Sequence, residues 1–155
     1  DRYGGNPQRV FVMGHSAGAH IALLLSLDRH YLAATGVSAD DLRGVIGLSG
    51  PYDFKIDSEL LRSVFGSAPD AHQTQPVRFV RGDAPPLLLI HGTADQICWD
   101  EHSIRLTERI RAAGGSAELR LYPGLGHSDT LGGLSQLRRG LAPTLQDVTT
   151  FVTEH

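Results

Sequence analysis

The chain has 155 residues, 41% of them hydrophobic and 20% charged, the size and balance of one globular domain with a core of its own. A formal net charge of -3 gives no electrostatic basis for binding nucleic acid or an anionic membrane, and no apolar run approaches the roughly 18 residues of a membrane span. The single cysteine, Cys98, excludes an internal disulfide and a cysteine-based metal site, and fits a reducing compartment such as the cytoplasm.

Short β-rich runs alternate with helical patterns along the whole chain, with no repeat and no low-complexity tract. The first strand is predicted over residues 9–13 and a helix over 17–27. That helix is apolar nearly all round (Ile21, Leu23, Leu24, Leu25, Leu27) and is expected to be buried. A strand over 44–49 stops at Gly50-Pro51. Asp57 is the expected cap of a short helix with Leu60, Leu61, Val64 and Phe65 on its core side. Residues 66–86, with four prolines, read as an irregular crossing over the top of the sheet. The continuous apolar run at 87–90 suits a strand covered on both faces. Asp100 is the expected cap of a helix that ends at Gly114-Gly115, and 117–122 alternates as a fourth strand. Thr144 is the expected cap of a last helix with Leu145, Val148, Phe151 and Val152 facing inward. The pattern implies an α/β class: about four mostly parallel strands flanked by helices in one domain, residues 1–155. The arginines at 105, 109 and 111, and at 138 and 139, are interleaved with acids and read as solvated helix faces.

The stretch GHSAGAH, residues 14–20, lies between the first strand and the first helix and matches G-x-S-x-G, the nucleophile elbow. On a sharp strand-to-helix turn Ser16 projects from the strand end. The N–H of Ala17, at the positive end of the helix dipole, can then donate to an oxyanion. Glycine at 14 and at 18 is expected to avoid clashes across the turn. The bare pattern is weak, and its position between an apolar strand and an apolar helix is what gives it weight.

Serine chemistry needs a base for the hydroxyl proton and an acid to orient that base. HGTAD follows the 87–90 strand and puts Asp95 in a loop at the strand's C-terminal end; GLGHSD follows the fourth strand and puts His127 in a loop on the same rim. Asp100 and Glu101 are better explained by a helix start, and Asp129 follows the histidine rather than preceding it. His91 is expected to bond a backbone group, His20 to be packed, and His15 to line the pocket. His30, His72, His102 and His155 have no matching context. No H-E-x-x-H spacing, phosphate-binding loop or dinucleotide fingerprint occurs, so neither metal nor cofactor is expected.

GHSAGAH, GLSGPYD, APPLLLIHGTAD and YPGLGHSDTL together resemble the α/β-hydrolase superfamily on its esterase/lipase side, in order and approximate spacing, over nearly the whole chain. The resemblance implies relatives among prenylcysteine methylesterases and kynurenine formamidases. It makes Ser16 the nucleophile, Asp95 the acid, His127 the base and Ala17 an oxyanion donor, with His15, Tyr52 and Trp99 as pocket residues. The activity it implies is hydrolysis of a small carboxylic ester through an acyl-enzyme; an amidase of the formamidase type and a non-catalytic, self-associating fragment are the alternatives. Relatives continue HGTAD with Val, one residue and Pro, whereas this chain reads Gln96-Ile97-Cys98-Trp99. The strands here correspond to the last four of the family's eight. The chain is therefore expected to be the C-terminal half of the fold, without the N-terminal strands and the HGG-type loop that carries a second oxyanion donor. Its first strand would then be an exposed edge through which copies associate.

Overall fold

The computed structural model describes residues 4–68 and 70–155. Four strands, β1 (Val10–His15), β2 (Leu42–Leu48), β3 (Leu87–Gly92) and β4 (Ala117–Tyr122), form one sheet in the order β1-β2-β3-β4. All three pairings are parallel, with Gly14 opposite Gly47, Leu48 opposite Ile90 and Gly92 opposite Tyr122. Parallel neighbours require crossovers, and these carry α1 (Ala17–Leu27) and α2 (Arg29–Ala33) between β1 and β2, α3 (Glu59–Phe65) between β2 and β3, and α4 (Glu101–Ala112) between β3 and β4; α5 (Asp129–Gly132) and α6 (Thr144–Glu154) follow the last strand.

Strand side chains alternate between two cores. Val45, Leu87 and Leu89 meet Leu23 and Leu27 of α1 and Leu106 and Ile110 of α4 on one face. Ile46, Leu48, Leu88 and Ile90 meet Phe151 of α6 and Tyr122 on the other. Every residue of β3 is buried, as its unbroken apolar run leads one to expect. The second face admits Phe151 closely because position 44 is glycine: a Cβ there would stand 2.7 Å from the ring.

Several local expectations differ from what forms. Ser58, not Asp57, caps α3, its Oγ accepting from Leu61 N. The apolar side of α3 is not buried: Val64 is 59% exposed, and of its four apolar side chains Phe65 packs its ring near Phe54 and His20. Ile21 on α1 is 56% exposed beside it, so that helix is not buried all round. Asp100 occupies the position before α4 without a side-chain cap, since its own backbone is already helical. Pro143 precedes α6 in place of a polar cap, and Thr144 is a buried first residue of the helix. Residues 66–86 form 3-10 turns at Ala71–Thr74 and Pro76–Phe79, the second packing on α1 with Val77 in the core; residue 69, one of the four prolines, lies outside the described residues.

Tyr52 is corrected by the structure. It is fully buried in the core between α1 and the sheet rather than lining a pocket. Its hydroxyl occupies the space a side chain would need at Gly47 and at Gly50, and burial pushes its phenol well above the ordinary value. The turn after β2 folds inward because those two glycines leave room for a ring. Among the described residues β1 pairs with β2 alone, and Val10 and Met13 are 43% and 46% exposed on that edge. No described helix is long and apolar enough to cross a membrane.

The fit of the Tyr52 hydroxyl against Gly47 predicts that Gly47→Ala lowers stability by about 1–3 kcal/mol through overpacking. The same change in a Tyr52→Phe background costs less, because the atom in the way is gone. Denaturant unfolding of the four proteins measures the coupling; strictly additive losses would refute the contact.

Candidate active site

Ser16 sits between β1 and α1 with φ 55° and ψ -120°, a left-handed backbone that serine adopts only under constraint. The constraint is visible. Ser16 N donates to Leu48 O at 2.9 Å, tying the turn to the end of β2. A Cβ at position 14 would overlap the carbonyl of Gly18 and stand 2.6 Å from Ala19 N, so only glycine lets helix and strand approach this closely. The second glycine differs from expectation: nothing lies within 4 Å of a Cβ built at Gly18, which faces outward on the first turn of α1. The amide of Ala17 is the first of that helix, where backbone donors have no partner within the helix.

His127 Nε2 lies 2.9 Å from Ser16 Oγ, and His127 Nδ1 lies 2.7 Å from Asp95 Oδ2. The carboxylate can only accept, so Nδ1 carries the proton and Nε2 is free to accept from the serine hydroxyl. Asp95 is 8% exposed. Its Oδ1 accepts from the amides of Ile97 and Cys98, both at 2.9 Å. Burial by itself would raise the Asp95 carboxyl, but hydrogen bonds from Cys98 N, His127 and Ile97 N outweigh it, and the group is held below the usual carboxylate range.

Neighbouring residues hold these three in place. Glycine at 92 lets the Leu125 carbonyl cross the end of β3, where a Cβ would meet it, and this brings the His127 loop over Asp95. The carbonyl of His127 accepts from His15 Nε2 at 2.9 Å and from Thr130 Oγ1 at 3.3 Å, and Thr130 shares a 2.9 Å hydrogen bond with Ser49 at the end of β2. His91 is fully buried, donates from Nε2 to Cys98 O at 2.7 Å and pairs through Nδ1 with Ser103 Oγ at 2.7 Å. Its Nε2 also lies 3.3 Å from Asp95 Oδ2; burial lowers its basicity, so it stays neutral.

The backbone bond expected of His91 is present, and its reach to Asp95 was signalled only by the i, i+4 spacing. Ser49 and Thr130 carried no signal in the sequence. Ser16, Asp95, His127 and His15 come together; Tyr52 does not, and Trp99, 65% exposed, faces a separate open groove beside Phe54, Lys55 and His102. Asp129 accepts from Gly126 N and Arg138 instead of from His127. Burial and the charge of Asp95 push the Cys98 thiol up to about 12, which removes it as a nucleophile. Among the described residues no three His, Cys, Asp or Glu side chains are grouped to hold a metal.

A family model described as BD-FAE matches residues 1–110, which include Ser16 and Asp95. The chain belongs to the BD-FAE family. It is similar to an isoprenylcysteine alpha-carbonyl methylesterase of Arabidopsis thaliana, 32% identical over 149 residues, covering 82% of this chain and 35% of the relative. It is also similar to the esterase LipC of Mycobacterium tuberculosis, 31% identical over 173 residues, covering 99% of this chain and 42% of the relative. This member of the BD-FAE family thus spans well under half the length of those curated relatives. Among solved structures, esterase 2 of Thermogutta terrifontis superposes with a TM-score of 0.76 at 23% identity, covering 97% of this chain and 56% of that one. The fold is of the α/β-hydrolase type.

The unequal surroundings of the two elbow glycines give a direct test. Gly14→Ala should lose about 1–3 kcal/mol or more, because backbone is in the way and cannot yield. Gly18→Ala should be neutral or up to about 1 kcal/mol stabilising, since alanine is the better helix former. Equal losses at the two positions in thermal or denaturant unfolding would contradict this account.

Proposed function

We propose that the chain carries the nucleophile, base and acid of a serine esterase that cleaves a small carboxylic ester through an acyl-enzyme. The observation that carries this reading is the unbroken hydrogen-bond line from Asp95 Oδ2 through His127 to Ser16 Oγ. Ser16 Oγ attacks the ester carbonyl carbon while His127 Nε2 takes its proton. Asp95 holds the imidazole in the required tautomer and stabilises the imidazolium that forms. The negative oxygen of the tetrahedral intermediate accepts from Ala17 N at the start of α1. His127 then protonates the departing alcohol; water, deprotonated by the same imidazole, releases the acid and restores Ser16.

Ester rather than amide chemistry is supported by the names of the relatives, an alpha-carbonyl methylesterase and an esterase. Within this reading the chain is the C-terminal half of the hydrolase domain. The second oxyanion donor belongs to an HGG-type loop outside residues 1–155, and losing one such donor costs about 10² to 10³ in rate. A fluorophosphonate probe followed by intact-mass analysis tests the nucleophile independently of turnover. Labelling should be lost in Ser16→Ala and slowed in His127→Ala and Asp95→Asn. Undiminished labelling of Ser16→Ala would end the proposal.

The exposed edge of β1 favours a second property of the isolated chain, association between copies. The outer backbone of β1, which among the described residues pairs with β2 alone, lies beside the half-exposed Val10 and Met13 and is a template for pairing. Light scattering at tens of micromolar should report a species larger than a monomer, reduced by Met13→Lys. A monodisperse monomer would count against it.

A further inference from the structure

The surface that adjoins Ala17 is as apolar as the rim around Ser16 is polar. A groove of about 320 Å³ runs between α1 and α3, lined by Ala17, Ile21, Leu24 and Leu25 on one side and Val64 and Phe65 on the other. Positions 17, 21, 24 and 25 form one stripe of a helix. At 1.5 Å per residue the stripe is about 12 Å long, the reach of an aliphatic chain of roughly eight carbons. Its walls stay open to solvent, with Ile21 and Val64 more than half exposed. The groove lining contains no carboxylate, lysine or arginine; its polar members are Tyr31 of α2 and His20, which is turned inward with Nε2 bonded to Thr74 O and kept neutral by burial. Two helices holding apolar side chains outward in parallel, with no ionised group between them, suit a long uncharged ligand.

The chemistry at Ser16 says which ligand. His127 must protonate the leaving alcohol, so the alcohol side of the ester lies toward His127. The carbonyl oxygen points at Ala17 N, and the acyl substituent leaves the reacting carbon on the side away from His127. Ala17, the residue after Ser16 and the first of α1, lines the groove, so the α1 stripe begins one residue from the nucleophile. Gly18 adds no side chain at this point, and a Cβ there would stand in open space. We propose that the α1–α3 groove is the acyl-chain subsite, and that Ile21, Val64 and Phe65 set a preference for medium-length aliphatic acyl groups. This rests on Ser16 being the nucleophile.

The test uses p-nitrophenyl phosphonates bearing methyl, butyl or octyl chains. Release of p-nitrophenolate is followed in time, and the adduct on Ser16 is confirmed by intact mass. Each buried methylene contributes up to about 0.8 kcal/mol, so even partial burial should make octyl at least about tenfold faster than methyl. Ile21→Glu and Val64→Glu, both at exposed positions, should cut the octyl-to-methyl ratio about fivefold or more. Leu137→Glu, at a fully exposed position elsewhere, should leave the ratio alone. Labelling by all three reagents with no dependence on chain length would overturn the groove while leaving Ser16 standing. An octyl preference untouched by both groove variants, with a change in oligomeric state in either, would reassign the groove as a protein contact. Failure of every reagent to modify Ser16 would overturn the nucleophile, and the subsite with it.

Discussion

A wholly parallel sheet sends every strand end to one rim, and each polar group of the site hangs from a different end. Ser16 follows β1, Asp95 follows β3 and His127 follows β4, while β2 contributes Leu48 O as the anchor of the serine turn and Ser49 as the anchor of Thr130. Three loops converge because strand register fixes their roots, and little else needs to be specified. The cost of the arrangement is that both sheet faces must be covered, which α1, α4 and α6 accomplish.

What could be read before folding was whatever depends on local order. Four strands, four of the helices and the three loop residues all follow from periodicity and from glycine-rich punctuation at strand ends. The misreadings share a cause: they concern which way a residue faces once a second element arrives. Tyr52 follows a strand on the functional rim, as pocket residues do. Only the absence of side chains at Gly47 and Gly50, five and two positions before it, allows the ring to turn under the sheet. Gly18 looked as constrained as Gly14 because a motif gives both the same letter, yet one opposes backbone and the other opposes nothing. The cap of α3 falls one position from the expected one, on Ser58 rather than Asp57, since either side chain can accept from a helix amide. The outward apolar sides of α1 and α3 read as core for the same reason, and they now define the groove.

Electrostatics separate the members of the site by burial and by partner. The Asp95 carboxyl is buried yet kept ionised by three hydrogen bonds to its charged form. His91, 3.3 Å from that carboxylate and fully buried, bonds a carbonyl and a hydroxyl, and burial outweighs the pull of Asp95 to keep it neutral. One charge is thus held against the imidazole of His127 with no competing cation behind it.

The loop that follows Asp95 departs from the family pattern where it matters to that charge. The resembled hydrolases usually have proline three residues after the acid; here the residue is Cys98, and its amide is one of the two donors to Asp95 Oδ1. Proline has no amide hydrogen to give. The exchange therefore trades a stiffer unfolded chain, where a compatible proline is worth about 0.4–1 kcal/mol, for a bond that exists only in the folded one.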